Sequence, residues 1–488
     1  MTNVLQTTRR WAKLGAGVSA AALLSGCIST MAPKYERPTA PVPQALPQGG
    51  TYPAATPATV AAPDLAWRDV FTDPKLQQVI TTALANNRDL RVSILNIAEA
   101  HAQYRVQRAA LIPHIDASFA PTIEQVPAAL LSTESTGTTS GATGSVRINE
   151  FAANLGVTDY ELDLWGRVRS LSKQALETYL ATTEAKRAFQ ISLISEVATD
   201  YVTYSADLER LNTAKATVQA DTESVRLTTA QFNAGVVSEV DVREAQTALE
   251  QASADVPTYT TTLAQDVNNL TLLVGAPVSS DLLPGPMGDT LATLSDIPAG
   301  VTSDVLLRRP DVVEAEHTLK AYNANIGAAR AAFFPTIELT GGGGSTSLSL
   351  GNLFGKGTGA WSFTPTVTLP IFEAGINAAN LRYAKAERDV AVAQYEKAVQ
   401  TAFQEVANAL AQRGQVSALV ASNQRLVFVT DRSVFLAKAR YTSGADTYLN
   451  TLTAEVNAYS ARQALVSARL VRATNLITLY QTLGGGVR

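Results

Sequence analysis

Arg108-Ala109-Ala110-Leu111-Ile112-Pro113-His114-Ile115 returns 222 residues later as Arg330-Ala331-Ala332-Phe333-Phe334-Pro335-Thr336-Ile337. Phe232-Asn233-Ala234-Gly235 stands in the same relation to Tyr441-Thr442-Ser443-Gly444, and Gly166 and Gly275 to Gly375 and Gly484, at a spacing of 209. Self-similarity on this scale marks a duplicated architecture. Residues 64–301 are therefore read as a first structural repeat and 302–488 as a second. The two spacings differ because the stretch after Pro113 is longer than the one after Pro335, which places the length change in one surface loop, 127–144, rich in Ser, Thr and Gly.

Each half reads in the same order. A short helix, about 74–85 or 303–309, leads to a helix that begins near Asp89 or Pro310 and runs to Ile112 or Phe334. Pro310 suits a first helical turn and Asp311 the positive end of the helix dipole, while Pro113 and Pro335 stop the helices. Two stretches rich in β-formers and Gly follow in each half, 115–125 with 146–165 and 337–350 with 361–372, so membrane strands are expected within about 115–165 and 337–372. Thr364-Pro365-Thr366-Val367-Thr368-Leu369 alternates with period two, the pattern of a strand with one oily and one wet face.

Residues 166–231 and 375–440 then run without Pro and with few Gly. Their apolar residues recur at helical spacing, as in Ile194, Val197, Tyr201, Tyr204, Leu208 and Leu211. Each would form a rod about 100 Å long. The helix returning over 239–275, roughly 55 Å, and the helix over 311–334, roughly 36 Å, together nearly match one rod. Pro257 falls inside the returning helix and is expected to kink it; its counterpart in the second half is Val466, so the halves should differ there.

The N-terminus has the layout of an export signal, with Arg9, Arg10 and Lys13 before an apolar stretch from Leu14 to Leu24 that is too short to span a bilayer. It ends in Leu24-Ser25-Gly26-Cys27, which resembles the bacterial lipobox. Residues 1–26 are read as a lipoprotein signal peptide and Cys27, the only cysteine, as the acceptor of N-acyl diacylglycerol. A lone Cys is otherwise a small buried hydrophobe. Ile28, rather than Asp, points to the outer membrane. Residues 27–63, rich in Pro, Ala, Thr and Gln after Met31, read as a lipidated extended strap.

Composition excludes several classes. The net charge of -4 becomes -7 once the three cations of residues 1–26 are removed, so nucleic acid is not an expected partner. His101, His114 and His317 show no paired spacing and there is one Cys, so no metal or other cofactor is expected. Gly351-Asn352-Leu353-Phe354-Gly355-Lys356-Gly357-Thr358 departs from a phosphate loop in spacing and lacks the hydroxyl after Lys; it reads as an outer hairpin loop. Nothing points to an enzyme. Four strands cannot close a barrel, and open edges are not tolerated in lipid, so several chains must share one. Dimer and trimer both satisfy that arithmetic.

This order of elements, with Tyr35-Glu36-Arg37-Pro38, Leu306-Leu307-Arg308-Arg309-Pro310-Asp311 and Phe334-Pro335, resembles the TolC-like outer-membrane efflux factors, and most of all their lipoprotein branch of the NodT or OprM type. The resemblance covers almost the whole mature chain. It implies a mainly α fold with a membrane β-barrel: a homotrimer with a twelve-stranded barrel, a twelve-helix α-barrel and an equatorial belt. It also implies a passive exit duct in the outer membrane that works with an inner-membrane pump of the RND class and a periplasmic adaptor. The turns Gly235-Val236-Val237-Ser238 and Gly444-Ala445-Asp446-Thr447 match the adaptor-docking tips. Leu449, Thr453 and Val456 stand where relatives often carry Leu, Asp and Arg at a periplasmic gate. Only the Leu is kept, so closure would fall to Leu449 or to Asp241, Glu244 and Asp446. The outlet of a type I protein-secretion system shares the fold and is the alternative. A periplasmic coiled-coil adaptor would also show long helical hairpins but has no need of two strand hairpins.

Overall fold

A computed structural model describes residues 30–53, 66–127, 144–287 and 303–486. The signal segment 1–26, Cys27 and most of the 127–144 loop lie outside the described residues. The chain divides into two compact units: 30–37, 99–127, 144–179 and 317–392 form one, and 38–53, 66–98, 180–287, 303–316 and 393–486 the other.

The duplication is visible element by element. Helix α1 (Pro74–Asn86) leads to α2 (Arg88–Ala109), strands β1 (Asp116–Pro127) and β2 (Ser145–Glu161), and helices α3 (Arg167–Asn233) and α4 (Glu239–Val274). The second half has a 3-10 helix (Ser303–Arg308), α5 (Pro310–Ala331), β3 (Thr336–Ser347), β4 (Gly359–Thr368), α6 (Ile376–Thr442) and α7 (Tyr448–Thr482). The two long helices have 67 residues each, and α2 and α5 have 22 each. Both α2 and α5 stop three residues short of the expected Ile112 and Phe334, because the residues leading into Pro113 and Pro335 are held out of helical geometry. Strand β4 likewise ends at Thr368 rather than Phe372, just ahead of Pro370, which has no N–H for a ladder.

In the first unit the four strands form one antiparallel sheet in the order β1-β2-β3-β4, so β2 and β3 join the two repeats and β1 and β4 are its edges. Pro121 and Pro365 both sit on those edge strands, where a missing N–H is tolerated. The register puts Phe119 opposite Ala153, Leu155 opposite Gly343, Gly341 opposite Phe363 and Ile337 opposite Val367. Odd-numbered residues therefore share one face across the sheet, up to the bulge after Val157. That face carries Phe119, Ile123, Leu155, Trp361, Phe363 and Val367, all exposed. The even-numbered face carries Ser118, Thr122, Asn154, Thr346, Ser362, Thr364 and Thr366. The alternation read in 364–369 thus recurs across the sheet, except near 125–127 and 145–149, where Val146 and Ile148 fall on the even face and Arg147 and Asn149 on the odd. The bulge places Asp159 at φ 52, where its backbone N–H reaches the Thr340 hydroxyl at 3.2 Å.

Below the strands the same unit ties the repeats together through Trp165, whose indole N–H donates to the Pro335 carbonyl at 2.8 Å while its ring lies 4.8 Å from that of Phe334. The strap packs here too. Arg330 donates to the Met31 carbonyl at 3.0 Å, Asn323 to that of Pro33 at 2.8 Å, and a Cβ on Gly166 would meet Thr30 Cα at 2.8 Å.

The second unit is a helical assembly with a core of small and branched residues, among them Val197, Ala198, Ala206, Ala245, Val399, Ala402, Val406 and Ala473, all buried. Phe71 packs edge-on against Tyr480 at 5.2 Å, and Ala66 bridges to Gly486, which brings the two ends of the ordered body together. Asn87 ends α1 and caps α2, accepting from Leu90 N at 2.7 Å while its amide donates to the Leu273 carbonyl at 2.8 Å. Helix α4 continues unbroken through Pro257. The proline leaves the Ser253 carbonyl without its usual donor, yet Pro257 is on an exposed face, whereas its counterpart Val466 is buried. At this position the two halves thus differ in burial.

Arg309 explains part of the Arg-Arg-Pro-Asp stretch. Its buried guanidinium donates to the Thr482 carbonyl at 2.7 Å and to Asp311 and Glu405, each at 2.7 Å, and so fastens the start of α5 to the end of α7. Arg309→Ala should lower stability by about 2–3 kcal/mol, the scale of a lost charged hydrogen-bond cluster. Arg309→Lys should recover only part of it, for want of a planar fork. Thermal melting of the detergent-extracted chain checks this, and a Lys variant as stable as the parent would contradict it.

Candidate functional site

The two hairpin turns that reverse the long helices lie within the second unit and are built alike. At the first, Gly235 takes φ 73, its N–H donates to Phe232 O at 2.8 Å and that of Val236 donates to Gln231 O at 2.9 Å. At the second, Gly444 takes φ 72, its N–H donates to Tyr441 O at 2.9 Å and that of Ala445 to Arg440 O at 2.9 Å. Both are Schellman endings, which need a left-handed residue at the Gly position. Val236 and Ala445 project into solvent and Val237 is half-buried.

The returning helices begin differently. Ser238 caps α4 in a reciprocal box: its N–H and hydroxyl donate to Asp241 at 2.9 and 2.6 Å, and Asp241 N donates back to Ser238 Oγ at 3.4 Å. Thr447 occupies the equivalent place before α7 without a side-chain cap. Asp446 substitutes for it, accepting from Thr447 N at 2.9 Å, from the Asn450 amide, and from Arg440 Nε at 3.0 Å. The Asn450 amide first, then Arg440, hold the Asp446 carboxyl below the usual range.

Leu449, Thr453 and Val456 follow at i, i+4 and i+7, so they line one face of α7, and all three are exposed. The Thr453 hydroxyl turns back to the Leu449 carbonyl at 2.8 Å, leaving its methyl to the surface. Glu244 is half-buried on α4. Two of the three acid candidates, Asp241 and Asp446, are thus taken up in helix caps.

The contacts that hold the helices together near the tips are ones the sequence does not announce. Tyr441 donates from its hydroxyl to Gln231 Oε1 at 2.6 Å and packs edge-on against the buried Tyr448 at 5.3 Å. Tyr459 donates to Asp255 at 2.5 Å, and within the second hairpin Lys438 pairs with Glu455 and Arg462 with Asp431, each at 2.7 Å. These pairs join separate helices, so no local spacing announces them.

A model of the outer membrane efflux protein family matches residues 79–276 and 301–485. The chain is 46% identical over 464 residues to the antibiotic efflux pump outer membrane protein ArpC of Pseudomonas putida, covering 95% of this chain and 93% of that one. It is 40% identical to the outer membrane protein OprJ of Pseudomonas aeruginosa, with 96% of each covered. Among solved structures, the open state of the Neisseria gonorrhoeae MtrE outer membrane channel is similar at a TM-score of 0.82 and 37% identity, over 94% of this chain and 99% of that one.

A Cβ on Gly235 or Gly444 would meet nothing within 4 Å, whereas one on Gly275, also left-handed, would lie 2.5 Å from Asn86 O. Gly235→Ala and Gly444→Ala should each cost roughly 1–2 kcal/mol, the backbone strain alone. Gly275→Ala should cost distinctly more. Melting temperatures of the three variants decide this, and equal losses would show that the open tips are not as free as they stand here.

Proposed function

The chain belongs to the outer membrane efflux protein family, and from that premise we propose that it works as a lipid-anchored homotrimer, fed by an inner-membrane RND-type pump through a periplasmic adaptor. The family role, an exit duct of an efflux system in the outer membrane, is that of a passive channel and not of an enzyme.

The observation that carries the assembly is the sheet. Its odd-numbered face exposes Phe119, Leu155, Trp361 and Phe363, and among the described residues both edges, β1 and β4, are unpaired. An open edge in lipid leaves backbone groups unsatisfied at several kcal/mol each, so β1 of one copy must pair with β4 of another. Two copies would give eight strands, a barrel that side chains fill. Three give twelve and leave a lumen lined by the even-numbered Ser, Thr and Asn side chains. No described helix is long and apolar enough to cross a membrane.

Lipidation of Cys27 is supported by where the strap is held. Thr30, three residues on and so within about 11 Å, lies against Gly166, and Met31 and Pro33 are fastened to α5. In the same unit Ile371 and Phe372 are almost fully exposed. Acyl chains on Cys27 would therefore enter the bilayer beside the foot of the strands.

The tips Gly235-Val236-Val237-Ser238 and Gly444-Ala445-Asp446-Thr447 are the proposed adaptor contacts. Their exposed Val and Ala side chains give small apolar bearings flanked by capped helix ends. The face of Leu449, Thr453 and Val456 is the proposed pore lining at the periplasmic end, and an apolar constriction there suits it better than a charged ring. Antibiotics, named for the relative ArpC, are the proposed cargo class.

Electron microscopy of the detergent-extracted protein should show threefold particles, and twofold particles would overturn the trimer. Intact mass of the purified chain should show a mature N-terminus at Cys27 carrying the lipid, and Cys27→Ser should remain unprocessed. A processed, unlipidated parent would refute the anchor.

A further inference from the structure

Between α3, α4 and α7, some twelve residues from the first tip along α3, lies a cavity of about 370 Å³. Its lining carries three acids, one from each helix, Asp221, Asp255 and Glu455, together with apolar Ala252, Leu452 and Val456. Asp221 is only 6% exposed and accepts no hydrogen bond among the described residues. Glu455 pairs with Lys438 through one oxygen, while its other oxygen is buried without a hydrogen-bond partner among the described residues. Asp255 accepts from Tyr459.

The charges around this space do not balance. The nearby cation, Lys438 on α6, is paired with Glu455, and among the described residues neither Asp221 on α3 nor Asp255 on α4 has an ion pair. A buried carboxylate without a partner is costly, and it shows here in the titration of Asp221: burial first, then the charge of Glu455, push its carboxyl up to about 6, against a smaller opposing pull from Lys438. At neutral pH it is still mostly ionised, and it lies in a space large enough for a small molecule.

We propose that this cavity binds a small organic ammonium ion, its nitrogen taken by the Asp221 carboxylate and its apolar body lying on Leu452, Val456 and Ala252. Among the described residues no group of three acids or histidines is arranged to hold a metal ion, and the apolar lining residues offer nothing to a hydrated inorganic cation. An ammonium on a short hydrocarbon meets both the acids and the apolar residues. Because Val456 belongs both to this wall and to the exposed face of α7, an occupant would stiffen the packing of α7 against α3 and α4 close to the tips. The site lies within one copy of the chain, so it stands or falls independently of the trimer and of the lipid anchor.

The test is calorimetric titration of the full, detergent-extracted chain with phenethylammonium at pH 7.5, with neutral 2-phenylethanol in parallel. One saturable site per chain is expected for the amine, with the alcohol at least about tenfold weaker. Asp221→Asn, which keeps the shape and removes the buried charge, should weaken the amine about tenfold or more. Glu223→Gln, an exposed acid on the same helix that pairs with Arg226, should leave it unchanged. In the parent protein, lowering the pH to 5 protonates Asp221 and should weaken binding by about tenfold. No saturable heat, equal binding of amine and alcohol, or an unaltered Asp221→Asn would each overturn the proposal. The comparison of amine with alcohol needs no variant, so it stands even if a substitution perturbs folding.

Discussion

A sheet with an oily face and two unpaired edges has no stable place in water as a single chain, and most of the architecture follows from that constraint. Phe119, Ile123, Leu155, Trp361, Phe363 and Val367 fall on one side only because the register across β1 to β4 keeps odd residues opposite odd residues. A one-residue slip would turn that face over. The glycines of β3 help to hold the register: a Cβ on Gly344 would lie 2.1 Å from Ala153 O, and one on Gly342 3.0 Å from Leu155 O. β3 therefore approaches β2 at positions where a side chain could not be accommodated.

Duplication lets one chain build this sheet from two hairpins, yet the copies have diverged where their surroundings differ. The long helices keep the same length, and their stops keep the same left-handed glycines, because a change there would move everything after it. Strands have been freer: β2 has 17 residues and β4 has 10. Pro257 was accepted on an exposed face of α4, while the equivalent Val466 fills a core position in α7. The backbone gap at Ser253 can be met by water only where the helix is wet.

Charge at the tips is used mostly for holding the turns. Asp241 and Asp446 reach the same end, a capped helix, by different routes, one as the acid of a capping box and the other as a stand-in for a cap that Thr447 does not make. Cohesion between the hairpins comes instead from Tyr441 with Gln231 and Tyr459 with Asp255, while Lys438 with Glu455 ties α6 to α7 within the second. Asp221, behind them, has no such partner among the described residues, which sets it apart from the acids that hold structure.

The elements, their order and their duplication could be read along the amino-acid chain, because those depend on short-range physics. Proline ends a helix, glycine permits a left-handed stop, and periods of two and 3.6 separate strand from helix. Helix ends before Pro113 and Pro335 were legible to within three residues, and the turns at Gly235 and Gly444 to the residue. Only the tertiary structure decided what joins those elements. Arg309 meets Thr482 across 173 residues and Tyr441 meets Gln231 across 210. Whether an acid such as Asp241 serves a cap or one such as Asp221 is left facing a cavity depends on how helices distant in sequence pack. Local pattern states which face of a helix is apolar, but not which residue of another helix will stand opposite it.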